Sequence, residues 1–315
     1  MLLQAQAKPK PYELFAQRID SWFRFFFAFN TRVILIIYFG YASGTHHMNK
    51  LFITSTSMTI LLLSLSPCQA KGWEKGSFHS EKIELPYQLY TPEKSSTLLP
   101  LVIYLHGTGQ AGSDNQAQLY QGENIGPDYF TSPASQSHQA AYVLAPQTPA
   151  AIRWASTSLA EYDFKQTPIT SSMENLLALI DKTVAQHPID KNRIYLAGLS
   201  RGGQGVWYAA LLRPDYFAAI VPIAGSGSPE YAQKLIKLPI WVFHGTDDQV
   251  TDVNYSRNMV DGIIKKGGST RYLRYTEIEG GNHESSWLTA HENSELWQWM
   301  SKQNKNNHTS SAITQ

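Results

Sequence analysis

The sequence predicts an α/β fold: a doubly wound, mostly parallel sheet forming a single domain. Three observations carry this. Short apolar runs of strand length alternate with longer segments whose apolar residues recur at helical spacing. Several of the short runs, such as "LVIYLHG" and "AYVLAP", are apolar almost throughout, as strands covered on both faces should be. No internal repeat and no second domain interrupts the pattern. With 315 residues, 43% apolar and 16% charged, a sizeable core is available.

The elements follow in order. Ile83–Tyr90 alternates loosely, and Pro86, which has no N–H to give a ladder, predicts an edge strand there. Leu101–Gly107 and Ala141–Pro146 read as buried strands. Between them Gly109–Gln139 is rich in Gln, Ser and Gly and weakly periodic, and predicts a surface loop or partial lid. Met173–His187 has helical spacing behind a Thr-Ser-Ser cap. Arg193–Gly198 is a strand and Gly205–Arg213 a helix; Phe217–Gly225 and Pro239–Gly245 are strands. Tyr255–Gly268 is a helix that ends on a glycine cap. Thr270–Ile278 is the last strand and Glu292–Lys302 the last helix, so the domain is expected to span residues 71–303. The polar tail, 304–315, is expected to fray.

Composition excludes several classes. A net charge of +1 offers no basic field for nucleic acid or an anionic membrane surface. The single cysteine, Cys68, allows no internal disulfide and no cysteine-rich metal site. The head of the chain differs from the rest. Trp22–Tyr41 is apolar but broken by Arg24, Asn30 and Arg32, and its clean part is too short to span a membrane. From Met48, a short basic start, an apolar stretch and "PCQA" have the layout of a secretory signal peptide, residues 48–70, cleaved after Ala70. Residues 1–47 then read as an upstream extension. The expected location is secreted or periplasmic, with an uncleaved membrane anchor or a lipidated Cys68 as alternatives.

Chemistry is expected just past the strand ends, where open α/β sheets bind ligands. After Arg193–Gly198 comes Gly198-Leu199-Ser200-Arg201-Gly202, a G-x-S-x-G between a strand and a helix. A serine there sits on a sharp turn, and flanking side chains would strike the strand and helix, so glycines are needed. Serine is a weak nucleophile and needs a base, which in turn needs an orienting group. His283 follows the last strand in "EGGNHESSW"; Asp248 follows Pro239–Gly245 in the pattern His-Gly-x-x-Asp. Asp247 and then Asp252 are the alternatives to Asp248, and His291 is the alternative base. The oxyanion is expected to meet the amides of Arg201 and of Thr108 in "LHGTGQAGSDN", with His106 bracing that loop. Trp154, Gln204 and Trp287 are candidate substrate-pocket residues, with ordinary packing as the alternative for each. No cofactor and no metal is expected: "HENSE" lacks the second histidine of a zinc helix, and "TDDQVTD" lacks calcium-loop spacing.

Together, "LHGTGQAGSDN", "GLSRGGQGVWYAALLRPDYFAAIVPIAG", "FHGTDDQV" and "GGNHESSW" resemble the α/β-hydrolase superfamily over about residues 77–303. The likeness is to secreted esterases of the phospholipase/carboxylesterase or prolyl-oligopeptidase-like group, related to dienelactone hydrolase, feruloyl esterases and polyhydroxyalkanoate depolymerases. That resemblance implies a serine carboxylic-ester hydrolase with Ser200, Asp248 and His283 as triad and Thr108 and Arg201 at the oxyanion. Its substrate would be a small-molecule or polymer-linked ester. A serine peptidase on the same triad is the alternative. Two positions depart from the group: Trp287 lies four residues after the histidine rather than three, and residue 201 is arginine where Met or His is common.

Overall fold

A computed structural model describes residues 72–309, apart from 94–96, 121–124 and 156–157. The expected leader, the upstream segment, Cys68 and residues 310–315 lie outside the described residues. The described residues belong to one compact unit, Leu65–Gln315.

Eight strands form one sheet: β1 Gly72–His79, β2 Glu84–Thr91, β3 Leu99–Leu105, β4 Tyr142–Pro146, β5 Ile189–Leu199, β6 Ala219–Ile223, β7 Ile240–Gly245 and β8 Leu273–Ile278. Their order is β1-β2-β4-β3-β5-β6-β7-β8. The β1–β2 and β2–β4 pairs are antiparallel, and the other five pairs are parallel. This is the doubly wound sheet of the α/β-hydrolase type. From β3 the chain steps to β4 on one side; from β5 it proceeds to β6 on the other. The crevice between the ends of β3 and β5 is therefore the topological switch point, where such sheets bind ligands.

The helices are α1 Gly126–Thr131, α2 Pro133–His138, α3 Ser171–Gln186, α4 Arg201–Leu212, α5 Val253–Lys265, α6 Ser285–Glu292 and α7 Glu295–Ser301. Strand alternation sorts the core onto two faces. Leu101, Ile103 and Leu105 of β3 pack with residues of α3, α4 and α5, while Val102 and Tyr104 pack with those of α1, α6 and α7. Helix ends follow local chemistry. The Thr170 hydroxyl accepts from the Met173 amide at 3.0 Å and starts α3. Gly267, at φ +91°, and Gly268 close α5 through bonds to the carbonyls of Ile264 and Ile263, a Schellman cap. Among the described residues, no helix is long and apolar enough to cross a membrane.

Three sequence expectations need correction. The strand around Pro86 is not at the edge, because β1 pairs outside it along its whole length. Pro86 is tolerated because the β2–β4 ladder begins only at Tyr87. Second, Gly109–Gln139 is not a simple surface loop. It holds α1, α2 and a helical turn at Ala117–Tyr120, and Phe130 is fully buried against Tyr104 and Trp297. Its base is tied by Asn115, whose amide group donates to the carbonyls of Gly76 and Tyr87. Third, the chain does not fray directly after Gln303: Lys305–Thr309 adds a helical turn, and the Tyr195 hydroxyl donates to the Gln303 carbonyl at 2.9 Å.

Candidate active site

Ser200 sits where β5 turns into α4. Its φ is +53° and ψ −120°, backbone that a non-glycine residue adopts only under strain, of order 1–3 kcal/mol. The turn is held by the Ser200 amide, which donates to the Ile223 carbonyl at 2.8 Å. Close approach explains the glycines. A Cβ on Gly198 would lie 2.7 Å from the Leu105 carbonyl oxygen, and one on Gly202 would strike that same carbonyl. The strain aims the serine out of the sheet at the switch point.

Two loops bring the partners. His283 Nε2 lies 2.9 Å from Ser200 Oγ, and His283 Nδ1 lies 2.6 Å from Asp248 Oδ2. A carboxylate only accepts, so Nδ1 carries the ring proton, Nε2 is bare, and the Ser200 hydroxyl donates to it. The arrangement can pass a proton from Ser200 to His283 and stabilise the imidazolium that results. Asp248 and Ser200 are buried, and the His283 side chain is 16% exposed. Trp287 meets the His283 ring edge to face at 5.1 Å, so α6 walls the imidazole.

Asp248 is held at every lone pair. Oδ1 accepts from the amides of Val250 and Thr251, both at 2.8 Å. Oδ2 accepts from His283 and, at 3.1 Å, from His244 Nε2. Burial alone would push this carboxyl up, but the bonds from His244, His283 and the Thr251 amide outweigh it and hold the carboxyl well below the usual carboxylate range. His244 is fully buried at the end of β7. Its Nε2 also faces the Thr251 carbonyl at 2.8 Å, and its Nδ1 faces the Ser256 hydroxyl at 2.7 Å. Two acceptors at Nε2 require a proton there, which makes Nδ1 the acceptor from Ser256. Asp248 thus lies between two imidazoles, both donating to Oδ2. Sequence reasoning used His244 only as a marker for Asp248; its position four residues before an acid, at a strand end, is the signal that could have found it.

The other candidates stand elsewhere. The Asp247 amide donates to the Gly281 carbonyl at 2.9 Å, and its carboxylate does not reach His283. Asp252 caps α5, accepting from the Asn254 amide. His291 is buried among Tyr104, Tyr129 and Phe130, and burial pushes it down to about 4.

Thr108 and Arg201 each open a helical turn, where the first amides have no partner within the turn. The β3 loop is close: a Cβ on Gly107 would lie 3.6 Å from Ser200 Cβ. His106, fully buried, braces this loop. Its Nε2 accepts from the Thr148 amide at 3.0 Å, so Nδ1 holds the proton and donates to the Gly107 carbonyl at 2.6 Å. Burial first, and the charge of Arg201 also, pull His106 down to about 4, although its bond to Gly107 opposes this. Trp154 is fully buried, lies edge-on to His106 and donates to its carbonyl at 3.2 Å, so it supports the loop from beneath. Gln204 is also fully buried; its amide group ties Ser226 and the carbonyl of Ser158.

Known proteins resemble this chain. A thermostable esterase of solved structure is 33% identical, with a TM-score of 0.67, over 74% of this chain and 63% of that one. A bifunctional acetylxylan esterase/xylanase of Neocallimastix patriciarum is 25% identical over 177 residues, 56% of this chain but only 23% of its own length. A probable carboxylesterase of Oryza sativa subsp. japonica is 26% identical over 166 residues, 47% of this chain and 67% of that protein. The family model described as phospholipase/carboxylesterase matches residues 90–302, from β2 through the serine turn and both partner loops to the end of α7, and the chain belongs to that family.

Proposed function

We propose that this protein hydrolyses carboxylic esters through an acyl-enzyme, with Ser200 as nucleophile, His283 as general base and acid, and Asp248 as its orienting carboxylate. The observation that carries this reading is the unbroken hydrogen-bond chain of 2.9 Å and 2.6 Å from Ser200 through His283 to Asp248. The relatives named as a carboxylesterase and an acetylxylan esterase support the ester class.

The steps follow from proton positions. Ser200 Oγ attacks the ester carbonyl carbon, and its proton passes to His283 Nε2. The carbonyl oxygen becomes an oxyanion, received by the amides of Thr108 and Arg201; each such donor is worth about 3 kcal/mol of barrier. Collapse expels the alcohol, which takes the proton from Nε2. Water then attacks the acyl-serine with His283 again as base; collapse breaks the bond to Ser200 Oγ, which takes the proton back from His283, and the acid leaves. Because the base works neutral, activity falls in acid. The same reading has the mature chain secreted or periplasmic, beginning near Lys71. The N-terminal mass of the expressed protein tests that cleavage.

Initial rates on p-nitrophenyl esters from acetate to palmitate, and on methyl ferulate, test the chemistry. Ser200→Ala should lose about three orders of magnitude or more. Equal rates for wild type and Ser200→Ala would overturn it, and faster cleavage of a peptide anilide than of the matching ester would move the assignment to a peptidase.

A further inference from the structure

Arg201, which follows Ser200, and Arg153, next to the carbonyl that Arg201 holds, have no acid to answer them. Arg201 follows the serine directly, and only 2% of it is exposed. One of its Nη atoms donates to the Ile152 carbonyl, and its Nε is buried without a partner. Arg153, next in the chain to Ile152, is half-buried and leaves a buried Nη1 without a partner. Burial, and then the neighbouring charge of Arg153, pull Arg201 down to about 10, so the two guanidiniums are close enough to repel. Among the described residues neither forms an ion pair, although eight other basic side chains do.

Buried charge is normally paired, because desolvation without a counter-charge is costly, and a second like charge adds to the cost. Tying the Ile152 loop does not account for the pair. One carbonyl engages one of Arg201's five N–H donors and gives Arg153 no role. A planar anion does account for it: a carboxylate offers two oxygens to a guanidinium fork and relieves the repulsion. The pair is tied to the serine turn through the Arg201 backbone. Arg201 is the nucleophile's neighbour, its amide faces the oxyanion in the reading above, and its charge is felt at His106 under the Thr108 loop.

We infer that Arg153 and Arg201 form a carboxylate-binding subsite, so that the preferred substrates are esters carrying a carboxylate within a few atoms of the scissile bond. This rests on the ester-hydrolase reading of Ser200. On the acyl half such a carboxylate makes a dicarboxylic monoester, on the alcohol half a hydroxy-acid ester, and the test separates the two.

Two matched pairs do so. Monomethyl succinate against methyl succinamate probes the acyl half; O-acetylglycolate against O-acetylglycolamide probes the alcohol half. Wild type should favour the carboxylate of at least one pair by about tenfold or more in kcat/KM, chiefly through KM, as a charge-assisted hydrogen bond allows. Arg153→Met should bring that ratio to about one, and Arg153→Lys should restore part of it. The preference should weaken in high salt. Calorimetric binding of the same four compounds to Ser200→Ala reads the subsite without turnover. Wild type that cleaves neutral esters but shows no carboxylate preference, or a preference that survives Arg153→Met, overturns the subsite and leaves the esterase reading standing. Carboxylate-selective binding to Ser200→Ala that Arg153→Met abolishes supports the subsite even where no ester is cleaved, in which case it is the esterase reading that fails. No selective binding and no preference in rate overturn the subsite.

Discussion

The two ends of the active site are built on opposite plans. At the acid end every lone pair of Asp248 is used: two amides hold Oδ1, and two imidazoles hold Oδ2. At the oxyanion end, the amides of Thr108 and Arg201 open helical turns, and the guanidiniums of Arg201 and Arg153 keep buried N–H groups unpartnered. On the proposed mechanism the acid end is complete without substrate, because its task is to fix one imidazole in one tautomer. On the same mechanism the oxyanion end is completed by what binds there, because its donors are needed only when negative charge arrives.

The acid end should break hardest. Asp248→Asn keeps the shape but can donate to His283 Nδ1, which moves the proton to Nε2 and leaves Ser200 without an acceptor. We expect kcat to fall by about three orders of magnitude or more, with KM little changed. A far smaller loss, at unchanged thermal stability, would mean that His283 is oriented by Trp287 and its loop rather than by the carboxylate.

Acid separates the two ends next. His106, under the oxyanion loop, is held down to about 4 from an ordinary 6.5, as is His291. Both are neutral in the fold and bind protons more weakly there than in the unfolded chain. The unfolded chain therefore takes up protons first as pH falls below 6.5. The stability due to neutral burial is complete above that pH and is lost on the way down towards about 4. Asp248 also favours the fold through a lowered pKa, but its contribution fades only as pH falls below the ordinary carboxylate value of 3.8. The oxyanion end should thus loosen at a pH where the acid end is intact. Denaturation free energy should fall with a slope of up to about 1.4 kcal/mol per pH unit for each histidine in that window, and His106→Asn should flatten the slope by one such share. A slope unchanged by His106→Asn would show that this ring is not the group taking up the proton.

How much of this was legible in the sequence follows the same division. Ser200, His283 and Asp248 could be picked out because each stands just after a strand whose apolar run was unmistakable, and glycine marks the serine turn. The α/β alternation was legible for the same reason. β1 was not, because "GWEKGSFH" shows no apolar alternation; it is made a strand by pairing its backbone with β2. The short helices between β3 and β4 were not, because Phe130 and Asn115 are fixed by contacts with distant strands rather than by local periodicity. Arg153 could not be found at all from its surroundings in sequence. Its place depends on Arg201, 48 positions later, holding the neighbouring Ile152 carbonyl.

The smallest effect tests how far the acid end is over-determined. His244 gives Asp248 one hydrogen bond of four, and the Ser256 hydroxyl sets the tautomer that lets it do so. His244 touches no reacting atom; it acts through Asp248 and is a positioning residue. His244→Phe removes the donor to Oδ2 and also leaves the Thr251 carbonyl without it, so the loop bearing Asp248 gains freedom. We expect kcat to fall about tenfold, roughly 1.4 kcal/mol, with KM nearly constant. Ser256→Ala should cost only a few-fold, since Nε2 can keep its proton for its two acceptors. A purely structural role would lower thermal stability but leave kcat per folded molecule unchanged, and would give no graded order between the two variants. With one donor fewer, the Asp248 carboxylate keeps more of its negative charge for the imidazolium of His283, so the acid limb of kcat/KM, which the base sets, should move to higher pH in His244→Phe and not in Ser256→Ala. If the limb stays in place, the remaining three donors suffice and His244 serves only to close the turn after β7.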